Sequence, residues 1–343
     1  MDNFGEYLRQ GEPDKAEKAK VWKTAIGLQQ VDGLTPSEYL ITTAKQNIEG
    51  YISIEEVKQR IDLYYKQYPS KNPEDRTEEA DKVSLRIVEI LGEQSFTFSP
   101  AEYIAIHRRL FQGIYKFAGK IRDFNITKKE WVLNGETVIY GSAESLKATL
   151  EYDFEQEKKF SYKGLSQQEV IEHIASFTSY LWQIHVFGEG NTRTVAIFLI
   201  KYLRTFGFKV SNELFEQHSW YFRNALVRAN YKNYTKNIFA THEFLLRFFE
   251  NLLLGEKHIL KNRTLHIYYS DTVNDTVKLQ DDTINDTVIA LIKENNKITS
   301  QEISERLKIS LSTTKRKISA LKVDKKIVRI GSDKTGYWKI TAL

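Results

Sequence analysis

The chain has 343 residues and a mass of 40.0 kDa; it is 41% hydrophobic and 28% charged with only 5 prolines, which allows two or three domains and excludes disorder as the main state. The absence of cysteine removes disulfides, thiolate catalysis, Cys-ligated zinc and iron–sulfur clusters, and points to a reduced, cytoplasmic setting. Net charge is +5, yet from Lys297 onward 12 Lys and Arg stand against 4 Asp and Glu, so the basic character belongs to one end.

The opening stretch MDNFGEYLRQGEPDKAEKAK carries charge every few residues, and no segment approaches the ~18 apolar residues of a membrane span, so a soluble chain with no membrane partner is expected. Apolar residues then recur with helical spacing over Trp22–Gln30, Tyr39–Asn47, Ile54–Tyr65, Ala80–Leu91, Pro100–Tyr115, Ser145–Glu157, Ser166–Gln183, Thr192–Phe206, Trp220–Ala229 and Thr241–Leu254. Between them, Ile121–Tyr140 alternates β-formers about Asn134-Gly135, which predicts a single β-hairpin on a helical core. The repeat DTVNDTV from Asp271 and DTINDTV from Asp282 reads as a linker. After it, a capped helix following Thr299, a short break and LSTTKRKISALK have helix-turn-helix spacing, and KKIVRIGSDKTGYWKI adds two β-rich runs about a Gly331–Gly336 turn. The outline is a mainly α protein with an N-terminal helical region (1–75), a core domain (76–265), a linker (266–288) and a winged helix-turn-helix domain (289–343).

The chemistry concentrates in HVFGEGNTRT, from His185 to Thr194, where one helix ends and another begins. Glycines, an Asn and an Arg at a helix start make an anion site: free N–H groups and the positive dipole end point outward, and Arg193 adds a fork of donors. His185 has the side chain of a general base. Glu189 supplies a carboxylate for a divalent cation that bridges phosphates. The set describes phosphoryl or nucleotidyl transfer.

HVFGEGNTR resembles the signature H-x-F-x-[D/E]-G-N-[G/K]-R of the Fic (Fido) family, and the resemblance extends through YIAIHRRLFQGIYKFAGKIRDFNI (Tyr103–Ile126) and the Asn134-Gly135 hairpin, where the family has its target-positioning flap. It implies a Fic-type helical core with a β-hairpin flap over roughly residues 80–255. It further implies that His185 deprotonates a target hydroxyl, Phe187 anchors the loop, Glu189 holds Mg²⁺, Gly190, Asn191 and Thr192 line the anion site, and Arg193 holds a phosphate. The implied activity is a protein adenylyltransferase that moves AMP from ATP to Tyr, Thr or Ser of a target protein, the chain itself included, with a homodimer as a further partner. Two positions depart from the pattern: Thr192 stands where Gly is usual, and Ala196 replaces a second Arg that grips the outer phosphates. A phosphotransferase or other nucleotide-derived transferase on the same scaffold, and a DNA-binding regulator with a catalytically weak core, are the alternatives. The intact His185 and Arg193 speak against the regulator, and Ala196 speaks for it.

The first 75 residues resemble the antitoxin-like inhibitory region found with many Fic proteins, whose hallmark is Ser/Thr-x-x-x-Glu-[Gly/Asn]. Leu28 with Asp32-Gly33 aligns best, and Glu49-Gly50 with Lys45 is a second candidate. Neither fits fully, and without an Arg at 196 the inhibitory carboxylate lacks its partner. In WYFRNALVRANY, Trp220, Phe222 and Leu226 read as core, while Tyr221 and Asn224 are expected to face a purine. His107, His173 and His218 read as structural. In the last domain Lys315, Arg316, Lys317 and Lys322 on the recognition helix, with Arg329, Lys334 and Lys339, suit DNA phosphates or a protein-docking face.

Overall fold

The structure, a computed structural model, describes residues 4–10, 12–69, 72, 74–208, 213–269, 288–289, 291–307, 311–323, 326–330 and 336–341. The chain divides into two compact units, Met1–Ile267 and Tyr268–Leu343. The expected linker lies, from 270 to 287, outside the described residues, as do nearly all of the two DTV repeats. Among the described residues no helix is long and apolar enough to cross a membrane.

The first unit is helical: α1 Gly5–Gln10, α2 Pro13–Gly27, α3 Glu38–Glu49, α4 Ile54–Gln67, α5 Thr77–Gly92, α6 Pro100–Phe111, α7 Leu146–Lys159, α8 Gln167–Ile184, α9 Asn191–Thr205, α10 Glu213–Ala229 and α11 Glu243–Leu254. Several starts are written in the sequence as caps. Ser53 with Glu56 and Ser166 with Glu169 form capping boxes on α4 and α8, and Ser37 and Ser99 accept from Leu40 and Glu102 at the heads of α3 and α6. Helix α6 stops at Phe111, short of the expected Tyr115, because the chain turns away through Gly113 at φ 75°. Helix α9 is buried on every side from Asn191 to Leu203, which makes it the central helix. Its Phe198 ring centre lies 5.2–5.7 Å from those of Phe96, Phe98, Tyr103 and Phe154.

Helix α2 belongs to two cores at once. Val21 and Ala25 enter the main core with Leu28, while Ala19 and Trp22 pack with Leu40, Ile41, Ala44, Val57 and Ile61. The Trp22 indole donates to Asn47 Oδ1 at 3.0 Å, and Asn47 donates in turn to the Ile52 carbonyl. The N-terminal region is thus a wall of the same unit. Its last turn tightens into a 3₁₀ segment, Leu28–Asp32, closed by Gly33 at φ 69°. Where α2 meets α10, a Cβ on Gly27 would stand 2.3 Å from the Glu216 Cα, so only glycine permits the contact, and Ser219 bonds the Gly27 carbonyl at 2.8 Å. Gly27→Ala is therefore expected to cost about 1–3 kcal/mol, the range of overpacking, read as a lower midpoint in thermal or denaturant unfolding.

The hairpin expected over Ile121–Tyr140 does not form strands. Its turn is present, with Asn134 at φ 55° and Gly135 at φ 87°, closed by the Glu130 N–H to the Glu136 carbonyl and the Gly135 N–H to the Glu130 carbonyl, both at 2.9 Å. The ladder fails because Trp131–Leu133 coils into a 3₁₀ turn that buries the adjacent Val132 and Leu133, which a strand would point to opposite faces. Glu130 is held by Arg223 at 2.7 and 3.1 Å and by the Tyr140 hydroxyl at 3.1 Å, which fixes the segment as an irregular flap.

In the second unit α12 (Ser300–Leu307) and α13 (Leu311–Val323) precede an antiparallel pair, β1 (Ile327–Ile330) and β2 (Tyr337–Ile340), in register Ile327↔Ile340. Thr299 and Glu302 bond reciprocally at the head of α12. Val288, Ile292, Ile298, Ile303, Ile318, Leu321 and Ile327 form its core. Residues 331–335, with Lys334, and the Arg316 side chain lie outside the described residues.

Candidate active site

The loop between α8 and α9 is built from its own side chains. Asn191 accepts from the Phe187 N–H at 3.0 Å and donates to the Phe187 carbonyl at 2.7 Å, a reciprocal clamp that sets the turn. Phe187 is buried against His107, ring centres 3.6 Å apart. Gly190 starts α9 at φ 79° with no side-chain cap, and a Cβ there would meet the Phe111 ring at 2.4 Å. Thr192 faces inward and accepts from the Trp182 indole at 3.0 Å. Of the residues expected to line an anion site, Asn191 and Thr192 therefore act through loop structure.

His185 ends α8 in the left-handed region at φ 50°. Its ring stacks against Tyr140 at 4.3 Å and meets Trp182 edge-on at 5.2 Å. Nδ1 lies 3.3 Å from the Trp182 carbonyl, which only accepts, so the proton sits on Nδ1. Nε2 is left as a lone pair, buried and without a partner. Burial, followed by the positive charge of Lys128, pushes the imidazole well below its ordinary pKa, so the ring is neutral near pH 7. Arg122 fixes this end of the loop, donating to the carbonyls of His185 at 2.7 Å, Phe124 at 2.5 Å and Gly141 at 2.5 Å. It lies 63 residues before His185, and no local pattern in the sequence marks it for this role.

Arg193 is 0% exposed, and each of its nitrogens is engaged. Nη2 donates to Glu79 Oε1 at 2.7 Å, Nη1 donates to Gln29 Oε1 at 3.0 Å, and Nε lies 2.8 Å from Asp32 Oδ2 as an ion pair bent away from hydrogen-bond geometry. Burial alone would lower its pKa, yet the carboxylates of Asp32 and Glu79 beside it lift it above the ordinary value. The Phe111 ring covers it at 4.8 Å. The inhibitory-type carboxylate thus has a partner, Arg193 itself, in the absence of an Arg at the buried Ala196. Gly33 shapes this turn, whereas Glu49 pairs with Lys15 at 2.9 Å.

A cavity of about 590 Å³ opens beside the loop, lined by Gln30, Val31, Asp32, Gly33, Arg76, Lys128, Glu189, Trp220 and Arg223. Glu189 pairs with Lys128 at 3.1 Å and accepts from the Gly190 N–H at 3.1 Å; burial alone would raise its pKa, but these contacts keep it lowered. Tyr221 and Asn224, expected at a purine, are buried and do not line the cavity, and Asn224 bonds Asn262 at 2.8 Å. Helix α10 instead turns Trp220 toward it, with Arg223 stacked on that ring at 5.2 Å. A stripe with Trp220 one position from Tyr221 gives no sign of which face is wet.

His107 joins two segments of the site. It accepts from the Gly119 N–H at 2.8 Å on Nδ1, so Nε2 donates to the Glu189 carbonyl at 3.0 Å. Burial lowers its pKa to about 4, the Glu189 contact opposing and the Arg193 charge adding. A histidine near 6.5 unfolded and about 4 folded leaves the unfolded chain binding more protons below 6.5, so stability is present above that pH and lost as pH falls toward 4. Between pH 7 and 5 this histidine is expected to remove about 2 kcal/mol, and the deficit should be absent in His107→Gln, as read from denaturant midpoints of both chains.

The Fic/DOC family model matches residues 97–203, and a model of winged helix-turn-helix DNA-binding domains matches residues 284–327. Protein adenylyltransferase VbhT of Bartonella schoenbuchensis is 27% identical over 132 residues, 38% of this chain and 25% of that protein, so the likeness spans a quarter of the relative's length. Among solved structures, the N-terminal FIC domain of Bep8 from Bartonella sp. 1-1C aligns with a TM-score of 0.40 at 19% identity over 51% of this chain and 82% of its own. A Fic family protein from Desulfovibrio desulfuricans G20 aligns with a TM-score of 0.44 at 15% identity, covering 100% of this chain and 93% of its own. The chain accordingly carries a Fic/DOC family domain over residues 97–203, followed by a winged helix-turn-helix domain at its C-terminal end.

Proposed function

We propose that the chain is a protein adenylyltransferase, held down by its own N-terminal segment. The observation that carries the reading is the His185 Nε2, a buried lone pair without a partner, within electrostatic reach of Lys128 and Arg223 on the cavity wall. In the reaction the oxygen of an acceptor hydroxyl bonds to the α-phosphorus of ATP, and the α–β bridging P–O bond breaks. The hydroxyl proton passes to Nε2 and pyrophosphate leaves with the electron pair. The head of α9 and Arg193 meet the developing charge. Exposed Phe124, Trp131 and Ile139 on the flap suit a protein acceptor.

Glu189 is the residue that would hold Mg²⁺. Its carboxylate lines the cavity, and the other carboxylate of the wall, Asp32, is held by Arg193, a donor set that fits a cation carried in on phosphates. When bound, the ion supplies neutralisation of phosphate charge. The brake is the Leu28–Asp32 turn, because Gln29 and Asp32 occupy two of the three nitrogens with which Arg193 would take a phosphate. Ala196, buried in the core, favours γ-phosphate transfer as a second reading. ATP labelled at the α or the γ position separates the two: adenylyl transfer leaves the α label on protein, phosphotransfer leaves the γ label.

For the winged helix we propose duplex DNA as partner. Lys315 and Lys322 are exposed and two turns apart on one face of α13, and Lys339 is exposed on β2, whereas Lys317, at 7% exposed, is turned into the module. Reversal of Lys315 and Lys322 to Glu is expected to reduce the slope of log K against log salt by about 1 for each phosphate no longer neutralised, with no change in unfolding. Binding that ignores both salt and these charges would point to protein docking.

A further inference from the structure

Holding a nucleoside triphosphate requires positive charge against its outer phosphates, and α9 has none free to give. Past Arg193 it presents buried Ala196, Ile197 and Ile200, then Lys201, whose ammonium donates to the carbonyls of Ile90 and Glu93 at 3.0 Å each, and in its last turn Arg204, which donates to the Leu91 carbonyl at 2.7 Å. The charge has to come from the cavity wall, which carries Arg76, Lys128 and Arg223. Lys128 is paired with Glu189. Arg223 forks onto Glu130, whose side chain is almost wholly buried and whose only ion-pair partner among the described residues is that arginine, so its departure would strand a buried charge.

Arg76 stands differently. At the head of α5 it donates to Glu79 through Nε at 2.8 Å and Nη2 at 2.7 Å. If it leaves, Glu79 keeps Arg193 at 2.7 Å and the Tyr115 hydroxyl at 2.7 Å, so no charge is stranded. Its side chain is 37% exposed, against 0% for that of Arg193. The Nη2 atoms of Arg76 and Arg193 both lie 2.7 Å from the same oxygen, Glu79 Oε1. Two guanidiniums converging on one anionic oxygen is the arrangement in which a phosphate oxygen is held between arginines.

We propose that Arg76 is the ligand of the outer phosphates, turning its fork from Glu79 onto the nucleotide while Glu79 stays with Arg193. The inference rests on the nucleotide reading above. It is tested by titrating ATP with Mg²⁺, and separately AMP, into the full chain, its Arg76→Gln and Arg76→Lys variants, and the same three forms carrying Asp32→Ala. Loss of one charge-assisted hydrogen bond is expected to weaken ATP about ten- to a hundredfold in Arg76→Gln, with part of the affinity kept in Arg76→Lys. AMP, which has no outer phosphates, should bind the Arg76→Gln and Arg76→Lys variants as it binds the Arg76 form within each Asp32 background. Equal ATP affinity in Arg76→Gln, or an equal loss for AMP, overturns the assignment. If no form binds either nucleotide, the nucleotide reading itself falls and this inference falls with it.

Discussion

Asp32→Ala, alone or with Gln29→Ala, is expected to raise adenylyl transfer about ten- to a hundredfold, the scale of one charge-assisted interaction removed from Arg193. The direction follows from where the arginine's donors go. Asp32 and Gln29 take Nε and Nη1 from a side chain that is wholly buried beneath them. Their removal frees two donors without stranding the guanidinium, since Glu79 remains at 2.7 Å. The variant should therefore fold, and its unfolding midpoint should fall only modestly. Labelled transfer from ATP, read beside that midpoint, separates release of a brake from damage to the core; a folded variant with unchanged or lower activity counts against the brake.

His185→Ala is expected to lower transfer by about 10²–10⁴-fold, in the Asp32→Ala chain as well as in the parent. The side chain makes one weak hydrogen bond, Nδ1 to the Trp182 carbonyl, so little of the loop depends on it. The loop is held instead by Asn191, Arg122 and His107. ATP affinity should consequently survive while the rate collapses, a split that marks a proton acceptor rather than a binding group. Because burial keeps the ring neutral, the parent rate should stay level between pH 7.5 and about 6.5, where an ordinary histidine would already be half protonated.

Helices with 3.6-residue periodicity are legible in the sequence because the signal is local: the segment from Ser166 and the capped helix after Thr299 start where the structure starts them. The flap departs from the expected hairpin for a related reason. Asn134-Gly135 makes the turn it promises, but adjacent Val132 and Leu133 and the distant Arg223 decide that no ladder follows. Longer-range facts are invisible in the same way. Nothing near Gln29 announces that its amide oxygen meets a guanidinium 164 residues away, and nothing near Gly27 announces the backbone of Glu216. The order of residues in HVFGEGNTR indicates the chemistry, and the three-dimensional packing shows which of its members face the cavity and which hold the loop.

In the proposed brake the Leu28–Asp32 turn competes with phosphate for Arg193. Titrating ATP with Mg²⁺ into the full chain, Asp32→Ala and Asp32→Ala with Arg193→Ala tests it most directly. Binding is expected to be tighter in Asp32→Ala than in the parent, by about tenfold or more, and the gain to disappear when Arg193 is also removed. Equal affinity in the parent and Asp32→Ala, or a gain that persists without Arg193, would contradict it.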